Sequence, residues 1–141
     1  MKIGVIGHSQ LRELNLQNVN FDPQNYEVRK FWQAGARFSC ILKTIAFQDL
    51  CHFSPDVVIT FLGGNDILHN CCPSKIIEDF NIFIKEIRKH FNLSHGIHFL
   101  DIEIRIPRST FYVDLDTYQK VRRSVNGKMR KVRNLEIQIH Q

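Results

Sequence analysis

Three short stretches of this chain carry residue types suited to acyl transfer: Gly7-His8-Ser9, then Gly35, then Gly63-Gly64-Asn65-Asp66. A serine hydroxyl on a tight turn can attack a carbonyl carbon, and the oxyanion that develops needs hydrogen-bond donors aimed at it. The N–H of Ser9, the N–H of Gly35 and the side-chain amide of Asn65 are donors of that kind. Each one so placed is typically worth on the order of 100-fold in rate. Singly, each stretch has a plainer reading: Ser9 as a helix-capping turn serine, Gly63-Gly64 as a turn, Asn65-Asp66 as a cap pair. Only their joint occurrence at three successive strand ends favours the chemistry.

Other site types fit less well. Gly7-His8-Ser9-Gln10-Leu11 lacks the second glycine of a G-x-S-x-G elbow. Gly4, Gly7 and Ser9 make neither G-x-G-x-x-G nor a P-loop, since no Lys follows. Cysteines and histidines show no metal-ligand spacing, so neither a metal nor a cofactor is expected. Cys40, Cys51, Cys71 and Cys72 form no disulfide framework, and the adjacent pair cannot bond without strain. They read as reduced thiols, with Cys40 and Cys51 in the core, in an intracellular and cytoplasmic protein.

The elements that must position these residues follow from hydrophobic periodicity. Lys2 to Ile6 reads as a buried strand, Tyr26 to Trp32 as a second that ends at Ala34-Gly35, and Asp56 to Leu62 as a third, apolar nearly throughout like the centre of a parallel sheet. Phe38, Ile41, Leu42, Ile45 and Leu50 follow helical spacing within Ala36 to Leu50, which Ser54-Pro55 stops. A second helix opens at Pro73-Ser74, with Ile76, Ile77, Phe80, Ile84, Ile87 and Phe91 on one face, and closes at Asn92 to Gly96. Ile102, Ile104 and Ile106 alternate with Glu103 and Arg105, predicting a strand from Ile97 to Ile106 exposed on one face. Tyr118, Val121, Val125, Met129 and Val132 predict a third helix capped by Asp116 or Thr117, although Gly127 weakens its interior. Leu135, Ile137 and Ile139 alternate with polar residues, predicting a fifth strand. This order calls for a parallel sheet with helices on both faces, whose ligands bind outside the carboxyl ends of the strands. Ser9, Gly35 and Asn65 then share one rim.

Block by block, these residues resemble the SGNH, or GDSL-like, hydrolases, esterases and lipases of flavodoxin-like fold. Ile6-Gly7-His8-Ser9 is similar to the block that carries the nucleophilic serine, Gly35 to the second-block glycine, and Gly63-Gly64-Asn65-Asp66 to the G-x-N-D block. The resemblance implies a single α/β domain over residues 1–141, three-layered with a five-stranded parallel sheet. It implies hydrolysis of a small ester, with Ser9, Gly35 and Asn65 as site residues. Trp32 to Arg37 and Pro55 to Ile59 are similar to esterase-like modules of animal retroelement proteins. Two departures stand out: His8 replaces the family's usual Asp, and no D-x-x-H block with its closing helix follows the fifth strand. The chain therefore reads as carboxyl-terminally incomplete, with the final helix missing and with impaired catalysis. An uncovered sheet face or edge, lower stability and self-association are expected with it. His8, His69 and His140 are the candidate replacement bases, while His52, His90, His95 and His98 read as surface residues.

With 141 residues, 43% of them hydrophobic, the chain can bury roughly two-thirds of its unfolded surface in one core. Eleven Phe against 4 Pro and 7 Gly exclude a disordered or collagen-like chain. No signal peptide opens it, and no stretch approaches the roughly 20 apolar residues of a membrane span. The net charge of +5 is concentrated in Lys120, Arg122, Arg123, Lys128, Arg130, Lys131 and Arg133. Such a run usually marks a solvated helix face. The alternative function it offers is an inactive hydrolase fold that binds nucleic acid or an acidic protein partner through this helix.

Overall fold

A computed structural model describes residues 1–13, 24–70, 72–91, 96–105 and 113–139, with side chains described as far as Val132. Strand β1 (Lys2–Gly7) leads into a 3-10 turn (Ser9–Glu13). Then come β2 (Glu27–Trp32), a second 3-10 turn (Ile41–Lys43), helix α1 (Ile45–Phe53), β3 (Val57–Phe61), α2 (Gly64–His69), α3 (Pro73–His90), β4 (Ile97–Phe99) and α4 (Leu115–Ile139). All strand pairs are parallel, in the order β2-β1-β3-β4. The expected α/β fold with a parallel sheet is therefore present. The described sheet has four strands rather than five.

The alternation of β1 and β3 sends their side chains into two apolar clusters on opposite faces. Ile6 and Val58 join Phe38, Phe47, Leu50, Phe80, Phe83 and Tyr118, a core that draws on α1, α3 and α4 together. Ile3, Val5 and Val57 pack under Leu11 of the first 3-10 turn, with Val28, Ile59 and Phe61 half-buried beside them. Helices on both faces were expected. Among the described residues the three long helices all contribute to the first cluster, and the second is met by the short turn.

Three elements depart from the periodicity, each for a physical reason. The helix expected from Ala36 begins at Ile45, with Thr44 Oγ1 accepting from the Phe47 N–H at 3.3 Å as its cap. The backbone ahead of it is claimed by α2. Asn65 Nδ2 donates to the Ala36 carbonyl, and the Asp66 carboxyl accepts from the Phe38 N–H. The strand expected over Ile97 to Ile106 ends at Phe99. Beyond it, the Ile102 N–H donates to Asn126 Oδ1 at 2.7 Å, and the Ile102 carbonyl accepts from Asn126 Nδ2 at 3.2 Å. The Glu103 carbonyl accepts from the Tyr118 hydroxyl at 3.0 Å. Side chains of α4 thus satisfy backbone groups that a neighbouring strand would otherwise pair.

The predicted fifth strand is instead helical, since α4 continues through Leu135 to Ile139. Propagating a nucleated helix costs far less than starting a new element, and neither Gly nor Pro interrupts the chain after Gly127. The amino-terminal cap of α4 is Asp114, whose Oδ1 accepts from the Thr117 N–H at 2.7 Å, rather than Asp116 or Thr117. Cys40 and Cys51 are half-buried, not core, and Cys72 is exposed. Cys71 lies outside the described residues, as do Ile106 to Tyr112.

Candidate active site

Gly7 stands level with Trp32 on one side and Phe61 on the other, so β1, β2 and β3 finish together. Backbone hydrogen bonds hold the exits to one another. His8 N–H donates to the Phe61 carbonyl at 3.3 Å, and Gln33 N–H to the Gly7 carbonyl at 3.1 Å. Parallel strands sit roughly 4.8 Å apart, so the three exits are adjacent. Ser9 opens the 3-10 turn after β1 and is partly exposed. Gly35 lies in the loop after β2 at φ 71°, a left-handed conformation that a side chain would strain, and among the described residues no hydrogen bond claims its N–H. Asn65 sits in the first turn of α2.

A continuous polar chain links these exits. Asn65 Nδ2 donates to the carbonyl of Ala36, the residue after Gly35, at 3.2 Å. Asn65 Oδ1 accepts from Arg105 Nη1 at 2.9 Å. Arg105 Nη2 donates to Glu103 Oε1 at 2.5 Å and lies 3.4 Å from Nε2 of His8, the residue before Ser9. Glu103 Oε1 meets the same His8 nitrogen at 3.1 Å. The structure therefore brings the neighbours of Ser9 and Gly35 into one network with Asn65.

His8 is completely buried, with its ring tilted over Phe61 at 4.8 Å between centroids. Its Nδ1 accepts from the Gln10 N–H at 3.2 Å, which assigns the ring proton to Nε2, facing Glu103. Both nitrogens are thus engaged, and the ring serves the network more than Ser9. Burial opposes ionisation of the Glu103 carboxyl, but the His8 hydrogen bond and the nearby Arg105 outweigh it and hold the group below its ordinary range. Gly64 makes room for this cluster. A Cβ there would lie 2.6 Å from Glu103 Oε1 and 2.8 Å from Arg105 Nη2.

Asp66 lies one residue beyond Asn65 and is 4% exposed. Burial pushes its carboxyl up to about 7, against the lowering effects of the Phe38 N–H and of Arg37. His69, at the other end of α2, lines a polar cavity of about 210 Å³ with Arg37, Ser39, Asp66, Lys75 and Asp79. Among the described residues no hydrogen bond joins a histidine to Ser9. His52, His90 and His98 are exposed, in keeping with a surface reading, and His95 and His140 lie outside the described residues. No group of three or more His, Cys, Asp or Glu is placed to hold a metal among the described residues. Nor is any described helix long and apolar enough to cross a membrane.

Glu103, Arg105 and Asp66 were not recognised as site residues from the sequence. Alternation with Ile102 and Ile104 placed Glu103 and Arg105 on an exposed strand face. In the fold both are largely buried, with side chains 18% and 14% exposed. The usable signal was their charge beside a chemistry-bearing rim, visible only once the topology is known.

A parallel sheet in the order β2-β1-β3-β4 with helices packed against it is a flavodoxin-like α/β fold, the fold that the resemblance to SGNH, or GDSL-like, hydrolases implies. No family model matches the chain, and no curated protein sequence does. Solved structures do. A protein of Bacteroides fragilis assigned as an acylhydrolase superposes with a TM-score of 0.70 at 15% identity, over 96% of this chain and 64% of its own length. An acetyl xylan esterase, AlAXEase, gives a TM-score of 0.57 at 18% identity, over 91% of this chain and 73% of that one. TesA gives 0.58, also at 18% identity, over 91% and 74%. The chain thus spans less than two thirds of the Bacteroides structure. At these identities the likeness is one of fold.

Proposed function

We propose that this chain is a serine ester hydrolase of the SGNH type acting on a small ester by acyl transfer. Ser9 Oγ attacks the carbonyl carbon, and the oxyanion is met by the N–H of Ser9, the N–H of Gly35 and the Asn65 amide. The carbonyl then re-forms as the alkoxide departs, taking up through solvent the proton that Ser9 gave off, and water then attacks the acyl carbon, releasing the acid and restoring the Ser9 hydroxyl. The observation that carries the reading is the hydrogen-bonded chain from His8 through Glu103, Arg105 and Asn65 to Ala36, which ties together the three strand exits. Turnover is slow on this reading, because among the described residues no histidine is bonded to Ser9, and a serine without a base held against it is a weak nucleophile. Hydrolysis of p-nitrophenyl acetate, measured for the wild-type chain and for Ser9→Ala, tests it. A slow rate that Ser9→Ala abolishes supports the reading, and equal rates refute it.

A second reading has its own support in α4. Tyr118, Val121, Val125 and Met129 are buried, whereas Lys120, Arg123, Lys128 and Lys131 are exposed on its outer side. Arg130 is paired with Asp101, and Arg122 reaches Gln119 and the Ile102 carbonyl, so these two are less available. On this reading the ridge binds single-stranded nucleic acid. Affinity falls steeply as salt rises, through counterion release. Absent or salt-independent binding rejects it.

A further inference from the structure

We propose that Arg105 is the positioning residue that orients the Asn65 amide for the oxyanion, an inference that rests on the ester-hydrolase reading above. An asparagine side chain can flip, exchanging its oxygen for its amide nitrogen at little cost unless its neighbours discriminate between them. Here both neighbours do. Arginine has only donors, so the atom facing Arg105 Nη1 at 2.9 Å is the oxygen. The Ala36 carbonyl only accepts, so the atom facing it at 3.2 Å is the nitrogen. One amide hydrogen is spent on Ala36. The second has no partner among the described residues and is the donor left for substrate.

Arg105 is itself held in place. Its Nη2 donates to Glu103 Oε1, and Glu103 is bonded in turn to His8. The backbone of this segment is clamped by Asn126 on Ile102 and by the Tyr118 hydroxyl on Glu103, so α4 fixes the guanidinium from behind. Gly64 lets the pair approach α2 closely enough for Arg105 to reach Asn65. The guanidinium is planar and bridges Asn65 and Glu103 with two different nitrogens, a geometry that a lysine ammonium does not reproduce. With Arg105 gone, only the Ala36 carbonyl still distinguishes the two ends of the Asn65 amide. The free donor then spends part of its time as an acceptor turned toward the oxyanion.

The test is a double-mutant cycle on p-nitrophenyl acetate turnover with Asn65→Ala, Arg105→Met and the pair, alongside Ser9→Ala. Removing one oxyanion donor typically costs on the order of 100- to 1,000-fold in kcat. Asn65→Ala and Arg105→Met should each lower kcat on that scale with KM little changed. Adding Arg105→Met to Asn65→Ala should cost less than about threefold more, because the two act through one amide. Arg105→Lys should recover part of the loss. Multiplicative losses in the double variant mean that Arg105 acts on substrate by itself, and they overturn the proposal. Equal rates for wild type and Ser9→Ala overturn the hydrolase reading instead. The positioning role is then decided by NMR of the Asn65 side-chain amide. Two sharp, well-separated and slowly exchanging NH2 resonances that collapse in Arg105→Met support it, and resonances unmoved by the substitution overturn it. If Arg105→Met unfolds the chain by leaving Glu103 buried alone, Glu103→Gln/Arg105→Met removes that charge and carries the same comparison against Glu103→Gln.

Discussion

Asp66→Asn isolates the electrostatic strain beneath the candidate site. The carboxyl is 4% exposed, and both oxygens lie within hydrogen-bond reach of the Phe38 N–H, at 3.2 and 3.3 Å. Its folded-state pKa is raised from 3.8 to about 7, chiefly by burial. A raised carboxyl pKa means that the folded chain holds its proton over a range in which the unfolded chain has released it. Whatever Asp66 contributes is therefore fully present below about pH 3.8 and is lost as pH rises through about 7. The shift is about 3 pK units at about 1.4 kcal/mol each, so the loss amounts to about 4 kcal/mol. Asparagine keeps an oxygen for Phe38 N–H and carries no titrating charge. Urea denaturation at half-unit steps from pH 4 to pH 8 gives the stability of Asp66→Asn minus that of wild type. The subtraction cancels the other titrating groups. That difference should rise by about 4 kcal/mol across the range, most steeply between pH 4 and 7, and level off above. A difference that changes by less than about 1 kcal/mol would refute the argument that burial of this carboxyl dominates its surroundings.

Two substitutions probe the neighbouring network by stability. Glu103→Gln should cost about 2 to 3 kcal/mol at neutral pH, since it leaves the Arg105 charge without its carboxylate. Because the Glu103 carboxyl sits below its ordinary range, its contribution is complete above about pH 4.5 and disappears as pH falls through the depressed value. The deficit of the variant should therefore shrink in acid, opposite in direction to the Asp66 effect, and a deficit constant with pH counts against the pairing. Gly64→Ala should destabilise by about 1 to 3 kcal/mol, because its methyl meets Glu103 and Arg105 at 2.6 and 2.8 Å. It should also lower any Ser9-dependent esterase rate, by pushing Arg105 from Asn65. A thermal melt and a rate both equal to wild type would show that the cluster yields freely.

The legible part of this molecule is its local periodicity. Lys2–Gly7 and Val57–Phe61 are short apolar runs bounded by turn residues, Glu27–Trp32 is a half-exposed mixed run that ends ahead of Ala34-Gly35, and the stripe of Ile76, Phe80, Ile84 and Ile87 has helical spacing, so each element shows in its own neighbourhood. Parallel order and strand-end glycines follow from these by topology alone, which is why Ser9, Gly35 and Asn65 could be assigned to neighbouring strand exits without coordinates. What escaped is every interaction in which a side chain takes a backbone's partner. Ile102 pairs with Asn126 at 24 residues' separation, so an alternating pattern that reads as a strand leaves the sheet after Phe99. Gly127 was expected to weaken the interior of α4, whereas Asn126 beside it is buried and bonded at both ends of its amide, which anchors the helix there.

Arg105 reaches Asn65 across 40 residues and His8 across 97. Alternation records only that a side chain points away from its apolar neighbours. It cannot tell solvent from a buried polar cluster, since both suit a charged residue. In this fold the distinction is made by Gly64. Its missing side chain opens the space that turns an exposed-looking Glu103 and Arg105 into the link between the first and third blocks. His8, which stands where the hydrolases this sequence resembles usually have Asp, is then half of a pair whose other half is Glu103. A buried imidazole in that position takes a carboxylate partner. Glu103 supplies that carboxylate from the segment that also brings in Arg105, so the departure at position 8 and the orientation of Asn65 are consequences of one arrangement.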